Sequence, residues 1–214
     1  MRLYARSEYG QSAFDVTLLN ETPFNSFKRL ILTPFYSSWS QNGCTDYIAG
    51  RMAKNLNVEY LAAEPILLFV NGEYWGVYYL QERLDERYLE QNTEVDGESI
   101  DIIESWYDKV DEGNNNNFSA LYDFIEDNDL TNLGNYQQVS EWIDIDNFID
   151  YQIFQAFISN YDWPANNMKC WRERKKGAKW RWIFFDADGE LENMTLNGLA
   201  HATEINGNGC HSSP

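Results

Sequence analysis

The chain has 214 residues, which allows one domain or two small lobes, and an aromatic content of 16%, which supplies a sizeable core. Its formal net charge is -18 at pH 7. A surface this acidic repels nucleic-acid phosphates, so we expect no DNA or RNA partner and consider a basic protein or metal ions better suited to it.

The cysteines and the termini limit the class of protein further. Cys44, Cys170 and Cys210 include no C-x-x-C pair, so the sequence predicts neither a zinc site nor a disulfide framework, and buried thiols are favoured. No run is apolar and long enough for a membrane helix, and no signal peptide is visible. The chain begins in a strand-like stretch and ends in a Gly/Ser/Pro stretch, which indicates a fragment truncated at both ends.

The first third of the chain has the pattern of strands and one helix. Residues 2–33 are predicted as strands, because Phe14, Val16 and Leu18 alternate with polar neighbours and 29–32 includes a short apolar run. Ile48, Met52 and Leu56 then recur at helical spacing, so a helix is predicted over 46–56.

The strongest local signal is Asn71-Gly72 between the apolar runs 65–70 and 73–80. Asn-Gly accepts positive φ at both turn positions, so the sequence predicts a tight hairpin. Both runs are almost continuously apolar, and we therefore expect both of their faces to be covered. A charged segment begins at Glu82, where we place a boundary between two lobes.

The second half reads as a strand followed by helices. Residues 101–104 predict a short strand, and the apolar spacing over 118–125 predicts a helix. A polar break follows at 127–135. Asp144 can cap a helix that runs through Ser159, and its apolar surface is wide enough to predict burial on most sides. Such a helix is a rigid support for the loop that follows it.

That loop carries the residues that point to chemistry. Asp162 lies in a Trp-Pro loop, Asn167 follows in the spacing D-x-x-x-x-N, and two strand-like runs lead to Asp186 and Asp188. Phosphoryl transfer uses such a set, in which one Asp accepts the hydroxyl proton while the Asn and a later Asp hold metal. Kinases normally have Phe before the glycine of the later motif, whereas Gly189 directly follows Asp188 here. We predict Asp162 as the catalytic residue and Asn167 and Asp188 as metal ligands, with Asp186 as a reserve ligand.

Two further residues are candidates for binding ATP. Lys169 could reach a phosphate, although a solvated strand lysine is the alternative. Glu82 could line the adenine site, but pairing with Arg83 or Arg87 on a helix surface fits it equally well. The helix predicted over 46–56 contains no Glu, which argues against the Lys–Glu ion pair of conventional kinases.

Aromatic and histidine side chains near the end of the chain favour structural roles. Trp180, Trp182 and Phe184 share one face of a strand, and we interpret them as core rather than as a sugar-stacking platform. His201 and His211 lie in a Gly/Asn-rich tail and are expected to be exposed and inert.

Four blocks of the chain resemble the CotH-type (spore-coat protein H) secretory kinases: Arg-Leu-Tyr-Ala-Arg-Ser-Glu-Tyr-Gly (2–10), Phe-Val-Asn-Gly-Glu-Tyr-Trp-Gly-Val-Tyr-Tyr-Leu-Gln-Glu-Arg (69–83), Asn-Tyr-Asp-Trp-Pro-Ala-Asn-Asn-Met-Lys-Cys-Trp-Arg (160–172) and Lys-Trp-Arg-Trp-Ile-Phe-Phe-Asp-Ala-Asp-Gly (179–189). The resemblance implies an atypical kinase fold, ATP with Mg²⁺ or Mn²⁺, and a secreted or cell-surface location.

We therefore predict an α+β, two-lobed protein-kinase-like fold that is truncated at both ends. Residues 1–81 would form a sheet-rich lobe with one helix. Residues 82–214 would form an incomplete helical lobe with the catalytic loop and the metal-binding hairpin.

Three functions remain open from the sequence. The first is a metal-dependent kinase that moves the ATP γ-phosphate to Ser, Thr or Tyr of a protein. The second is a catalytically inactive kinase-like binding module of an extracellular or surface protein, which the missing helix Glu and the early glycine favour. A glycoside hydrolase using Asp162 with Asp186 or Asp188 ranks third, because the Asn at fixed spacing argues for phosphoryl transfer.

Overall fold

A computed structural model describes residues 1–34, 44–104, 109–161, 163–164, 166–187, 191 and 195–203. Over these residues the chain is a mixture of helices and sheets, which agrees with the predicted α+β class. The elements in chain order are β1 (Arg2–Tyr4), β2 (Phe14–Asp15), β3 (Ser26–Phe27), β4 (Arg29–Pro34), α1 (Thr45–Ala53), β5 (Glu59–Tyr60), β6 (Ala63–Val70), β7 (Glu73–Glu82), α2 (Glu86–Thr93), β8 (Ile100–Glu104), β9 (Lys109–Glu112), α3 (Asn116–Asp127), α4 (Leu133–Trp142), α5 (Ile145–Phe157), β10 (Lys169–Glu173), β11 (Arg181–Phe184) and α6 (Gly198–Thr203).

The first large sheet has the strand order β1-β4-β7-β6 and is antiparallel throughout. Its β6–β7 hairpin confirms the strongest sequence signal, because Asn71 and Gly72 have φ values of 52° and 85° at the turn. One face of the sheet covers a small apolar cluster to which β4 contributes Leu30 and Leu32.

The expectation that both faces of this hairpin are covered is wrong near its turn. Phe69 and Trp75 are 57% and 60% exposed there, and Leu67 is exposed as well. The described part of β4 pairs with residues 78–82 of β7, so the outer half of the hairpin extends beyond the described part of that strand.

The second large sheet has the strand order β5-β11-β10-β8-β9, in which only the β5–β11 pair is parallel. Trp180, Trp182 and Phe184 are buried in the largest apolar cluster, which confirms their interpretation as core. Cys170 is also fully buried in this cluster, as expected for a structural thiol.

Helix α5 is joined to this sheet by one buried amide. The side chain of Asn147 donates from Nδ2 to the carbonyls of Asn57 (2.8 Å) and Trp182 (3.2 Å). Its Oδ1 accepts from the N–H of Trp182 at 2.6 Å. Asp144 caps the helix, as predicted, by accepting from the N–H of Asn147 at 3.3 Å. These hydrogen bonds therefore fix the position of α5 along β11, the strand that precedes the Asp186 loop.

The predicted burial of α5 on most sides is wrong for one stripe. Ile149, Ile153 and Phe157 recur every four residues and are exposed, with Phe157 at 66%. Phe154 and Ile158 face the core instead. Among the described elements, β11 and α6 make the main contacts with this helix, and these three side chains stay exposed beside them.

Several elements were not predicted. Helix α4 begins inside the expected polar break, since Asn132 caps it by accepting from the N–H of Gly134 at 2.8 Å. The predicted helix over 46–56 is present as α1 but begins at Thr45 and ends at Ala53.

Within the described residues, no helix is long and apolar enough to cross a membrane.

Candidate functional site

A cleft of about 590 Å³ lies between the two large sheets. Helix α1 closes part of it and packs against β5 and β6, one strand from each sheet. The lining includes Asp46 of α1, Glu104, Asp111 and Lys169 of the second sheet, and Asp186 after β11.

Asn167 and Asp186 meet at one side of this cleft. Nδ2 of Asn167 donates to the backbone carbonyl of Asp186 at 3.0 Å, and Asn167 itself is buried. Both residues have positive φ, 54° for Asn167 and 58° for Asp186, a conformation that Asn and Asp tolerate better than most residues. Asn167 and the reserve ligand Asp186 are therefore in direct contact, and their binding of a metal stays a prediction.

The loop at Asp186 has a second anchor that the sequence did not reveal. The N–H of Ala187 donates to Oδ1 of Asp46 at 2.9 Å, and Ala187 is fully buried. In the sequence, Asp46 looks like an ordinary acid in the first turn of a helix. Because 141 positions separate the two residues, no local pattern could have indicated this contact.

Lys169 lies in the cleft and is held by two carboxylates. Its Nζ is 2.6 Å from Asp111 and 2.8 Å from Glu104, and it lies over the ring of Phe185 at 5.3 Å. With 6% of its surface exposed, it is not the solvated strand lysine of the alternative reading. Its predicted contact with a phosphate stays a prediction.

Glu104 forms a second ion pair, with Lys109, in the same cluster. Partial burial alone would raise the pKa of Glu104, but the hydrogen bonds from Lys109 and Lys169 outweigh it and lower this pKa to about 2. The carboxylate therefore stays ionised at neutral pH and keeps attracting Lys169.

Glu82 lies in a second cavity of about 330 Å³ and is not among the residues that line the cleft. Its carboxylate accepts from the N–H of Ala62 at 3.0 Å and from Nδ2 of Asn92 at 2.9 Å. Burial raises the pKa of Glu82 to about 6, against these two hydrogen bonds, which lower it. Arg83 and Arg87 pair with other carboxylates, Asp85 and Glu90. An adenine contact by Glu82 stays a prediction.

Asp162 and Asp188 lie outside the described residues, as do Gly189, Cys210 and His211. The chain on both sides of Asp162 is anchored. Trp163 is buried and donates its N–H to Oδ1 of Asn160 at 3.0 Å. The carbonyl of Tyr161 lies 2.8 Å from Nε2 of His201, and the two rings stack with centroids 5.1 Å apart.

His201 is a residue that sequence reasoning missed. It was expected to be exposed, but only 9% of its surface is accessible. The composition of the tail concealed α6, the helix that places this histidine against the loop of Asp162. The expectation that His201 is exposed is therefore wrong.

The described oxygen donors fit a hard divalent cation in part. Mg²⁺ binds proteins through one or two carboxylates and takes its other ligands from water and phosphates. The Nδ2 of the Asn167 amide is turned to the Asp186 carbonyl, and its Oδ1 therefore lies on the other side of Cγ, directed away from that carbonyl. Among the described residues there is no group of three or more His, Cys, Asp or Glu that could hold a metal. Asp188 would have to complete the set.

The comparison with known protein families gives one clear result. A family model described as CotH kinase protein matches residues 7–211. Since the match spans nearly all of the chain, the chain belongs to the CotH kinase family. A search of curated proteins found no match.

Proposed function

We propose that this protein is an ATP-dependent protein kinase that transfers the γ-phosphate to Ser, Thr or Tyr of a protein substrate. The observation that carries the proposal is the contact of Asn167 with the Asp186 loop at the wall of the cleft. Family membership and the spacing of Asp162 from Asn167 support it. The two sheets beside the cleft would belong to two lobes, 1–81 and 82–214.

Each candidate residue would have a distinct role. Asn167, Asp186 and Asp188 would hold Mg²⁺ or Mn²⁺, which when bound neutralises phosphate charge. Asp162 would accept the proton of the substrate hydroxyl. Lys169, on the strand next to β11, would approach a phosphate.

The proposal extends to the substrate and the compartment. A net charge of -18 favours a basic protein substrate. The family resemblance supports a secreted or cell-surface location.

A binding module without catalysis is the second candidate, and the Lys169 cluster favours it. A phosphate that approaches Lys169 must share it with Glu104 and Asp111, which already neutralise its charge. Such a cleft would bind nucleotide weakly and could serve recognition without transfer.

Thermal unfolding with and without Mg-ATP, followed by a phosphate-transfer assay on a lysine-rich model protein, tests the two candidates. A ligand at a hundredfold excess over its Kd stabilises the folded state by about 2.7 kcal/mol. For a chain of this size that corresponds to a rise in Tm of roughly 5–10 °C. Asp186→Ala should lose the shift, while Asp146→Ala, an exposed acid at the start of α5, is the matched control.

The outcomes separate the functions. A shift with transfer supports the kinase, and a shift without transfer supports the binding module. A shift with oligosaccharides alone would favour a glycoside hydrolase. If Mg-ATP produces no shift and no transfer, both leading candidates are contradicted.

A further inference from the structure

One peptide group in the cleft is held at both of its ends by side chains from distant parts of the chain. It joins Asp186 to Ala187. Its carbonyl accepts from Nδ2 of Asn167 at 3.0 Å, and its N–H donates to Oδ1 of Asp46 at 2.9 Å. The two holding residues come from the loop before β10 and from the first turn of α1.

Burial makes these two bonds consequential. Ala187 is fully buried and Asn167 nearly so, whereas Asp46 is half-buried and Asp186 is exposed. The buried N–H of Ala187 is therefore the group that most needs its partner. Rotation of the peptide plane would leave its N–H and carbonyl facing the wrong partners. Because Asp186 adopts a left-handed conformation with φ of 58°, the orientation of this plane determines where its carboxylate is directed.

We propose that Asp46 is a positioning residue for the metal-binding loop of the cleft. Its carboxylate fixes the 186–187 peptide, and the peptide carbonyl in turn fixes the Asn167 amide, whose Oδ1 then lies on the side opposite the bonded nitrogen. The metal part of this inference rests on the proposed function. The hydrogen bonds of Asp46 and Asn167 to the 186–187 peptide, which we call the peptide clamp, are observed independently of that function.

Two simpler roles for Asp46 make different predictions. In the first role, Asp46 has no effect beyond the favourable interaction of a first-turn acid with the helix dipole. A carboxylate that lines the cleft could also bind metal directly. Asp46→Asn separates these roles, because an amide oxygen can still accept from Ala187 although the charge is lost. Asp46→Ala removes both the hydrogen-bond acceptor and the charge. Asp146→Ala is the matched control, because it removes an exposed first-turn acid from α5.

Amide hydrogen exchange at Ala187, followed by NMR, tests the clamp without any ligand. Asp46→Ala should speed exchange of this N–H by roughly tenfold or more, since a buried donor loses its acceptor. Asp46→Asn and Asp146→Ala should leave it close to the wild-type rate. Unchanged exchange in Asp46→Ala would overturn the proposal. If the alanine variant folds poorly, fast exchange of the Ala187 N–H in Asp46→Asn would equally contradict the proposal.

Calorimetric titration tests the consequence for the metal. Asp46→Ala should weaken Mg-ATP binding by roughly tenfold and leave binding of metal-free ATP unchanged, whereas Asp46→Asn should stay within about threefold of wild type. Equal loss in both variants would show that the charge acts directly and would overturn the positioning role. Fast exchange with unchanged Mg-ATP affinity would reduce Asp46 to a structural contact. If the wild type binds no Mg-ATP, the proposed function fails, and the exchange rates alone decide whether Asp46 holds the peptide.

Discussion

Asp162 and Asp188 would act at different stages of the proposed reaction. A metal ligand stabilises bound nucleotide in the ground state, whereas a group that accepts the hydroxyl proton acts mainly in the transition state. We expect Asp188→Ala to weaken Mg-ATP binding and abolish transfer. Asp162→Ala should bind Mg-ATP nearly as wild type does and lower the transfer rate by roughly 10²–10⁴-fold. Calorimetric titration and single-turnover transfer measure the two effects.

Asn167→Ala serves as the internal comparison for these two variants. It removes a candidate ligand and one of the two bonds to the 186–187 peptide, so its effect on binding should fall between theirs. Loss of binding in Asp162→Ala with normal binding in Asp188→Ala would reverse the assigned roles. Wild-type binding and transfer in all three variants would contradict a catalytic site at this loop.

The sequence selected Asn167 by its spacing from Asp162 and named Asp186 as a reserve ligand, and the structure brings these two residues into contact. Their roles in metal binding stay predictions. Asp46 and His201 could not be selected in this way. Their partners, Ala187 and Tyr161, are 141 and 40 positions away, and such contacts depend on packing between distant elements.

At the scale of elements, the docking of α5 on β11 depends on the buried side chain of Asn147. Asn147→Ala would leave the N–H of Trp182 and two backbone carbonyls without the side-chain partner that they now have. A buried polar group without its partner costs about 1–3 kcal/mol, so we expect a loss of roughly 2–4 kcal/mol in the free energy of unfolding. Urea unfolding followed by tryptophan fluorescence measures it.

Ile153→Gln on the same helix is the control for this measurement. Ile153 is 63% exposed, and substitutions at such positions usually change stability by no more than about 0.5 kcal/mol. A loss of several kcal/mol in Ile153→Gln, or none in Asn147→Ala, would contradict the way in which α5 is placed on the sheet.

Elements defined by local chemistry were predicted, and elements defined by tertiary packing were not. The hairpin at Asn71-Gly72 follows from turn geometry, and α5 begins at its predicted cap, Asp144. Helix α4 has few apolar side chains, so its periodicity was too weak to overcome the polar composition around it. The exposed stripe of α5 was missed because a wide apolar surface does not reveal which part of it has a neighbour.

At the scale of the whole molecule, the buried carboxylate of Glu82 and the partly buried carboxylate of Glu104 should act on stability in separate pH windows. The pKa of Glu82 is raised from 4.5 to about 6, so the folded state binds its proton more tightly and stability falls as the pH rises through 4.5 to 6. The size of this loss is about 2 kcal/mol. The pKa of Glu104 is lowered to about 2, so its contribution is present above pH 4.5 and is lost as the pH falls toward 2.

Urea unfolding of the wild type and Glu82→Gln between pH 4 and pH 7.5 isolates the first window. The difference between the two proteins should shift by about 2 kcal/mol in favour of Glu82→Gln as the pH rises, because Gln does not titrate. Glu141→Gln, at an exposed position of α4, is the control for loss of surface charge. A difference that stays constant over this range would show that Glu82 does not titrate as described.

The cavity-facing Glu82 also lies where the chain passes from one sheet to the other. Only Leu61 and Ala62 separate β5 of the five-stranded sheet from β6 of the four-stranded sheet. Ala62 donates its N–H to the carboxylate of Glu82 at 3.0 Å and accepts from the N–H of Glu82 at 3.1 Å. If the two sheets moved relative to each other as a hinge, the axis would lie at this corner. The two-residue connection between β5 and β6 is too short to lengthen. The cleft would then widen least beside Leu61 and most at the positions farthest from it.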